Sequence, residues 1–343
     1  MVRSLQDNSM QVFELTRRLI DIESITPNER EVGEFLWTYL SELARRFDGD
    51  AERMPVEPNR DNLFVRFGEP TAVLSTHMDT VPPFIPSRED EHHIWGRGAC
   101  DTKGIIAAML TAAERMLEAG KRNFGLLFVV GEERNSAGAH AAAKNPRDSK
   151  FIINGEPTEN KLAVGSKGAW RLEILARGRM AHSAYPELGE SAIEKLLNAL
   201  DRLRKVDMPT DELLGPGTLN IGTISGGRAP NVIPDEARAE LLIRVVTDVT
   251  ELRKKISEAA KPDAEVHEAL LIPALRLGAL DGFETTVVAF TTDIPAFNGA
   301  WGQPYLIGPG TIHVAHTNEE HIRKTELVEA VGLYENLVKQ LSR

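Results

Sequence analysis

Three apolar segments in this chain each run directly into acidic or imidazole side chains, and this repeat constrains the fold more than any other feature. Ala72 to Thr76 ends at His77, Phe124 to Val130 runs into Gly131-Glu132-Glu133, and Phe151 to Ile153 runs into Gly155-Glu156. Between the first two lies a helical stripe of Ile105, Ile106, Met109, Ala112, Ala113, Met116 and Leu117, with Gly120 as its stop. Short apolar strands alternating with a helix predict an α/β fold around a mostly parallel sheet. In such open sheets, sites form at the C-terminal ends of the strands. The charged residues stand at those ends.

The pattern changes near Gly165. Strands are expected at Trp170 to Ala176, Thr218 to Ser225, Ala237 to Val246 and Ala264 to Leu270, with helices at Ser191 to Leu203 and Leu252 to Ala259. The order βαββαβ is ferredoxin-like. After Pro273 the α/β character returns and closes with a helix, Lys324 to Leu341. The chain therefore reads as a discontinuous catalytic domain, residues 1–165 and 272–343, with an inserted ferredoxin-like domain at 166–271. A length of 343 residues suits two domains. Val12, Leu15, Leu19 and Ile20 predict an opening helix, and Glu31 to Phe47 a second one.

The formal charge is −11, from 40 basic and 51 acidic residues, which disfavours nucleic acid as a partner. No apolar run is long enough to span a bilayer, so no membrane partner is expected. The N-terminus has no continuous apolar segment of the signal-peptide kind. Cys100 is the one cysteine, so no intrachain disulfide can form. A cytoplasmic location is the resulting expectation.

His77 and Asp79 are two apart and share one side of an extended segment. A histidine there can bind metal while Asp79 fixes its tautomer. Asp101 follows the turn Gly96-Arg97-Gly98 and precedes a helix. The adjacent pair Glu132-Glu133 suits a division of labour, one carboxylate for metal and its neighbour for an attacking water. Glu156 sits in Gly155-Glu156-Pro157-Thr158. Oxygen and imidazole ligands without thiolate suit zinc, cobalt or manganese. A nucleotide-binding role for Gly96-x-Gly98 is set aside, because no Lys-Ser/Thr follows it in the phosphate-cradling pattern.

Thr76-His77-Met78-Asp79-Thr80-Val81-Pro82 and Trp95-Gly96-Arg97-Gly98-Ala99-Cys100-Asp101-Thr102-Lys103-Gly104 resemble the acetylornithine deacetylase and succinyl-diaminopimelate desuccinylase family of zinc metallohydrolases, which also includes glutamate carboxypeptidases and aminoacylases. Gly131-Glu132-Glu133, Gly155-Glu156-Pro157-Thr158 and Ala315-His316 continue the resemblance in order. It implies two divalent metal ions, zinc first, bridged by Asp101. His77 and Glu156 would complete one site, Glu133 and His316 the other. His313 lies three residues before His316 and is the competing ligand; the spacing from Gly308-Pro309-Gly310 favours His316. Glu132 would be the general base and Asp79 would orient His77. A cis peptide is implied after Asp101.

In the inserted domain, His182 of Ala181-His182-Ser183-Ala184 would serve the active site of a partner subunit in a homodimer. Asn231, Arg244 and backbone amides near Gly308 would bind substrate. Thr291-Thr292-Asp293 departs from a more glycine- or serine-rich family segment. The implied activity is release of an amino acid from an N-acylated precursor, acetylornithine deacetylase-like. Desuccinylase, dipeptidase and carboxypeptidase activities are its alternatives within the family. An inactive amino-acid-binding module on the same scaffold is the alternative outside catalysis.

Overall fold

A computed structural model describes residues 5–342. In chain order the principal elements are α1 (Leu5–Ile20), α2 (Arg30–Phe47), β1 (Asp50–Glu57), β2 (Arg60–Phe67), β3 (Ala72–His77), α3 (Lys103–Glu118), β4 (Phe124–Val129), β5 (Phe151–Asn154) and β6 (Leu162–Ser166). They continue with β7 (Gly168–Arg177), α4 (Ala192–Leu203), β8 (Thr218–Gly226), β9 (Glu236–Val245), α5 (Thr250–Ala260), β10 (Glu265–Ile272), β11 (Gln303–Leu306) and α6 (Lys324–Leu341). The chain divides into two compact units. The first holds residues up to 164, 277–286 and 292 onward; the second holds 165–276 and 287–291.

The first unit is built on a sheet of order β1-β2-β4-β3-β5-β11-β6. Its four central strands, β4, β3, β5 and β11, are parallel. The flanking pairs β1–β2, β2–β4 and β11–β6 are antiparallel. Every residue of β3 and β4 is buried, as expected of parallel strands covered on both faces. Alternate side chains feed two cores. Leu74, Leu126, Phe128 and Ile153 meet α1, α2, α3 and α6, while Val73, Leu127, Val129 and Ile152 meet Ala139, Ala142, Phe297 and Trp301.

Helix α3 is buried nearly all round. Its alanines at 107, 108, 112 and 113 let neighbours pack on several sides, and only Arg115 and Glu118 near its C-terminal end reach solvent, as suits a core helix. The hairpin β1–β2 was not expected from the sequence. β1 is polar, carries Pro55 and lies at the sheet edge, where a missing N–H is tolerated.

The second unit is a four-stranded antiparallel sheet of order β8-β9-β7-β10 with α4 and α5 on one face. Trp170, Leu172, Ile174 and Ala176 alternate inward on β7, and Ala237, Ala239, Leu241 and Ile243 do so on β9. Arg171, Glu173, Arg238 and Glu240 occupy the other face. The sequence placed the inserted segment at 166–271. The compact unit runs from 165 to 276 and takes in 287–291. The difference is made by backbone pairing: Leu275 and Arg276 pair with Ser166 and Gly165, and Lys167 N–H donates to the Val288 carbonyl. Among the described residues, no helix is long and apolar enough to cross a membrane.

Candidate active site

The C-terminal ends of the parallel strands β3, β4 and β5 deliver His77, the Gly131-Glu132-Glu133 loop and Glu156 to one place in the first unit. Asp101 comes from the turn before α3, and His316 from the loop before α6. His316 has φ +65°, a left-handed conformation uncommon outside glycine.

Asp101 stands between the two histidines. Its Oδ1 lies 3.0 Å from His77 Nε2, and its Oδ2 lies 3.2 Å from His316 Nε2. Glu133 Oε2 is 3.1 Å from the same His316 nitrogen. Donor atoms of His77, Asp101 and Glu156 all lie within 4.8 Å of one another, and so do those of Asp101, Glu133 and His316. His313 belongs to neither group. The Asp101-Thr102 peptide is cis.

The electrostatics ask for cations. Burial pushes the Glu132 and Glu156 carboxyls well above the ordinary carboxylate range. His77 opposes that shift, whereas neighbouring carboxylates add to it. Glu133 is raised for the same first reason. Burial would lower His77, but its hydrogen bonds to Asp101 and Asp79 outweigh this and hold it protonated well above its usual range. His316 is pushed up to about 10 by hydrogen bonds to Asp101 and Glu133. Glu156 Oε1 is buried with no hydrogen-bond partner among the described residues. Crowded carboxylates, protonated imidazoles and an orphaned oxygen fit a pair of dications, which would displace the protons.

Asp79 does more than the sequence suggested. His77 Nδ1 is 3.0 Å from the Asp79 backbone carbonyl and 3.5 Å from its carboxylate, so the main chain orients the ring at closer range. The carboxylate instead accepts the backbone N–H groups of Gly131, Glu132 and Glu133 at 3.0–3.2 Å, and the Thr26 hydroxyl at 2.7 Å. It therefore pins the loop that presents both glutamates. Thr26 carried no sequence signal, since it lies far upstream of every motif.

Glu320 is a second buried anchor. Oε1 accepts the backbone N–H groups of Cys100 and Asp101, each at 3.2 Å, and Oε2 accepts Arg97 Nη1 at 2.6 Å. It ties the Asp101 turn to the loop carrying His316, four residues upstream. Cys100 fills space beside it, and burial pushes its thiol up, out of thiolate chemistry.

Gly308 requires a correction. It was expected to offer a backbone amide to substrate, but its N–H donates to Thr158 Oγ1 at 3.0 Å. Its carbonyl accepts Thr158 N–H and Asn160 N–H. Its Cα packs so closely that a Cβ would meet the Glu156 carbonyl at 2.6 Å. Gly308 thus holds the Glu156 loop and has no amide free for a ligand.

His182, Asn231 and Arg244 lie in the second unit. His182 pairs with Val232 in a short ribbon, and Ser183 N–H donates to the Asn231 carbonyl, so His182 and Asn231 are neighbours. Ala184 N–H donates to His182 Nδ1 at 3.1 Å. An accepting Nδ1 places the proton of the neutral ring on Nε2, which then faces outward as a donor. Arg244 is half-buried on β9, and its side chain has no hydrogen-bond or carboxylate partner among the described residues.

Comparisons with known proteins agree with this geometry. The model of peptidase family M20/M25/M40 matches residues 73–340. A peptidase M20 domain-containing protein of Schizosaccharomyces pombe is 38% identical, over 98% of this chain and 86% of its own length. A probable carboxypeptidase of Aspergillus flavus is 35% identical, over 97% of this chain and 88% of its own. The crystal structure of a tripeptidase from Staphylococcus aureus superposes with a TM-score of 0.82 at 22% identity, covering 98% of this chain and 99% of that one. The chain belongs to peptidase family M20/M25/M40 and is a metallohydrolase of amide bonds.

Proposed function

We propose that this enzyme releases an amino acid with a free α-carboxylate from the peptide or acyl group on its nitrogen, and that its first activity is that of a metallo-carboxypeptidase or dipeptidase. The observation that carries the reading is the Asp101 carboxylate, which offers one oxygen to each histidine-containing donor group. His77, Asp101 and Glu156 would hold one ion, and Asp101, Glu133 and His316 the other. Zinc suits these donors, with cobalt or manganese able to replace it. When bound, two dications acidify a water and polarise the scissile carbonyl.

The chain's own groups supply the rest. Glu132, in a loop pinned by Asp79, takes a proton from the attacking water and passes it to the leaving amine. Arg244, a half-buried guanidinium lacking a carboxylate partner, takes the carboxylate of the substrate. Asn231 lies beside His182 and adds a polar contact. The names of the relatives support a peptide substrate. The resemblance of residues 76–82 and 95–104 to the acetylornithine deacetylase and succinyl-diaminopimelate desuccinylase family supports a second reading, in which the acyl group is small. The lone buried cysteine suits a reducing, cytoplasmic setting.

Dipeptides, N-blocked dipeptides, acetyl-ornithine, acetyl-citrulline and succinyl-diaminopimelate should be assayed after chelation and after zinc, cobalt or manganese is restored. Peptides with a free C-terminus should be the best substrates, and amidating that carboxyl should abolish turnover. Full activity without metal, or indifference to amidation, would defeat the proposal.

His182 carries the assembly. On its ribbon it projects an Nε2–H donor suited to a developing oxyanion, and we assign that donor to the active site of a second copy in a homodimer. A His182→Ala subunit mixed with a Glu132→Ala subunit should regain activity, because one site of each hybrid dimer then holds both groups. No recovery despite proven subunit exchange would place His182 in its own subunit's chemistry, or in none.

A further inference from the structure

Asp293 is completely buried, and neither of its carboxylate oxygens has a hydrogen-bond partner among the described residues. No role described above uses it. Its backbone carbonyl opens a single helical turn, Ile294–Phe297, by accepting Ala296 and Phe297 N–H. That turn packs through Ala296 and Phe297 in one cluster with Ala139 and Ala142, on the helix that follows the Glu132-Glu133 loop. Ser136, at the start of that helix, approaches the Asp293 carboxylate without reaching hydrogen-bond geometry.

The leading charged groups that act on Asp293 belong to the active site. They are His77, Asp79, Glu132, Glu133 and Glu156, one imidazole against four carboxylates. Asp79 and Glu320 are just as buried, yet each is covered by amides, a hydroxyl or a guanidinium. A buried carboxylate without such cover is costly. Within the described residues His77 is the one imidazole set against these carboxylates, and burial pushes the Asp293 carboxyl up to about 7, so the ionised form has room for further positive charge from outside the chain. Asp293 belongs to neither donor group, so it would act on bound cations through space rather than as a ligand.

We propose that Asp293 is a charge-balancing residue of the dication centre, holding the ions from beyond their ligands. The inference rests on the two-metal reading and deepens it. Outer groups that hydrogen-bond metal ligands typically change metal affinity by about 10–100-fold, and that range sets the scale for a buried charge acting through space.

The test compares metal-free wild type with Asp293→Asn and Asp293→Ser, each titrated with zinc against a chromophoric chelator and each melted without metal. Wild type should take up zinc, and both variants should bind it about 10–100-fold more weakly. The metal-free Asp293→Asn protein should melt no lower than metal-free wild type, because a near-isosteric group has replaced an uncompensated charge. Unchanged zinc affinity in both variants would overturn the inference while leaving the two-metal reading intact. Weaker affinity with an equally lowered melting temperature in both metal-free variants would make Asp293 structural and also overturn it. Wild type that takes up no zinc would overturn the two-metal reading, and this inference with it.

Discussion

Glu132→Gln should lower kcat by about 10²–10⁴-fold, the range for losing a positioned general base, while metal content stays at the wild-type level. The separation follows from geometry. Glu132 belongs to neither donor group, whereas its neighbour Glu133 reaches His316. Both backbone amides are held by the same Asp79 carboxylate, so an amide side chain at 132 leaves the loop in place. Steady-state kinetics with metal analysis on the same samples checks this. A variant that keeps kcat within threefold, or that loses metal together with activity, would remove Glu132 from the role of base.

Glu320→Ala should destabilise the first unit by about 3–5 kcal/mol, the cost of breaking a buried ion pair by removing one partner. The change strands the Arg97 guanidinium, which is buried, and uncovers the Cys100 and Asp101 amides. Removing both charges as Arg97→Met with Glu320→Leu should recover part of that loss, since apolar replacement of a whole buried pair is often tolerated. The two amides would stay uncovered, so recovery should be incomplete. Urea unfolding of the metal-free proteins measures both. A loss below about 1 kcal/mol, the scale of an exposed pair, would mean that solvent reaches Arg97.

Candidate donors were legible where an apolar strand or a glycine-marked turn runs into a charged residue, whereas their grouping into two ligand sets came from the family resemblance. His77 ends β3, Glu133 and Glu156 lie in the loops that leave β4 and β5, and Asp101 and His316 are tied to Gly98 and Gly310 by short spacings. The anchors were less legible. Thr26 sits in a segment whose local pattern says nothing of a site and acts through a contact 53 residues away, while Asp293 stood out in the sequence only as a departure from a family segment and its burial among the site's charges appears only in the fold. Gly308 was misread for a related reason. A glycine near a site suggests a free amide, and only the position of Thr158 shows that the amide is taken.

By itself the sequence determined the parallel centre of the sheet, the ferredoxin-like order of the second unit and the residue types gathered at the strand ends. Apolar periodicity and strand-terminal charge are local properties, and they survive in one dimension. Tertiary structure alone decided which groups share a hydrogen bond, which buried charges are covered, and where the second unit ends. Those depend on pairings such as Leu275 with Ser166 and Glu320 with Arg97. Their partners are set by packing between distant segments, where each buried polar group must find a partner or remain costly. Among the described residues, both Asp293 oxygens are buried without a hydrogen-bond partner.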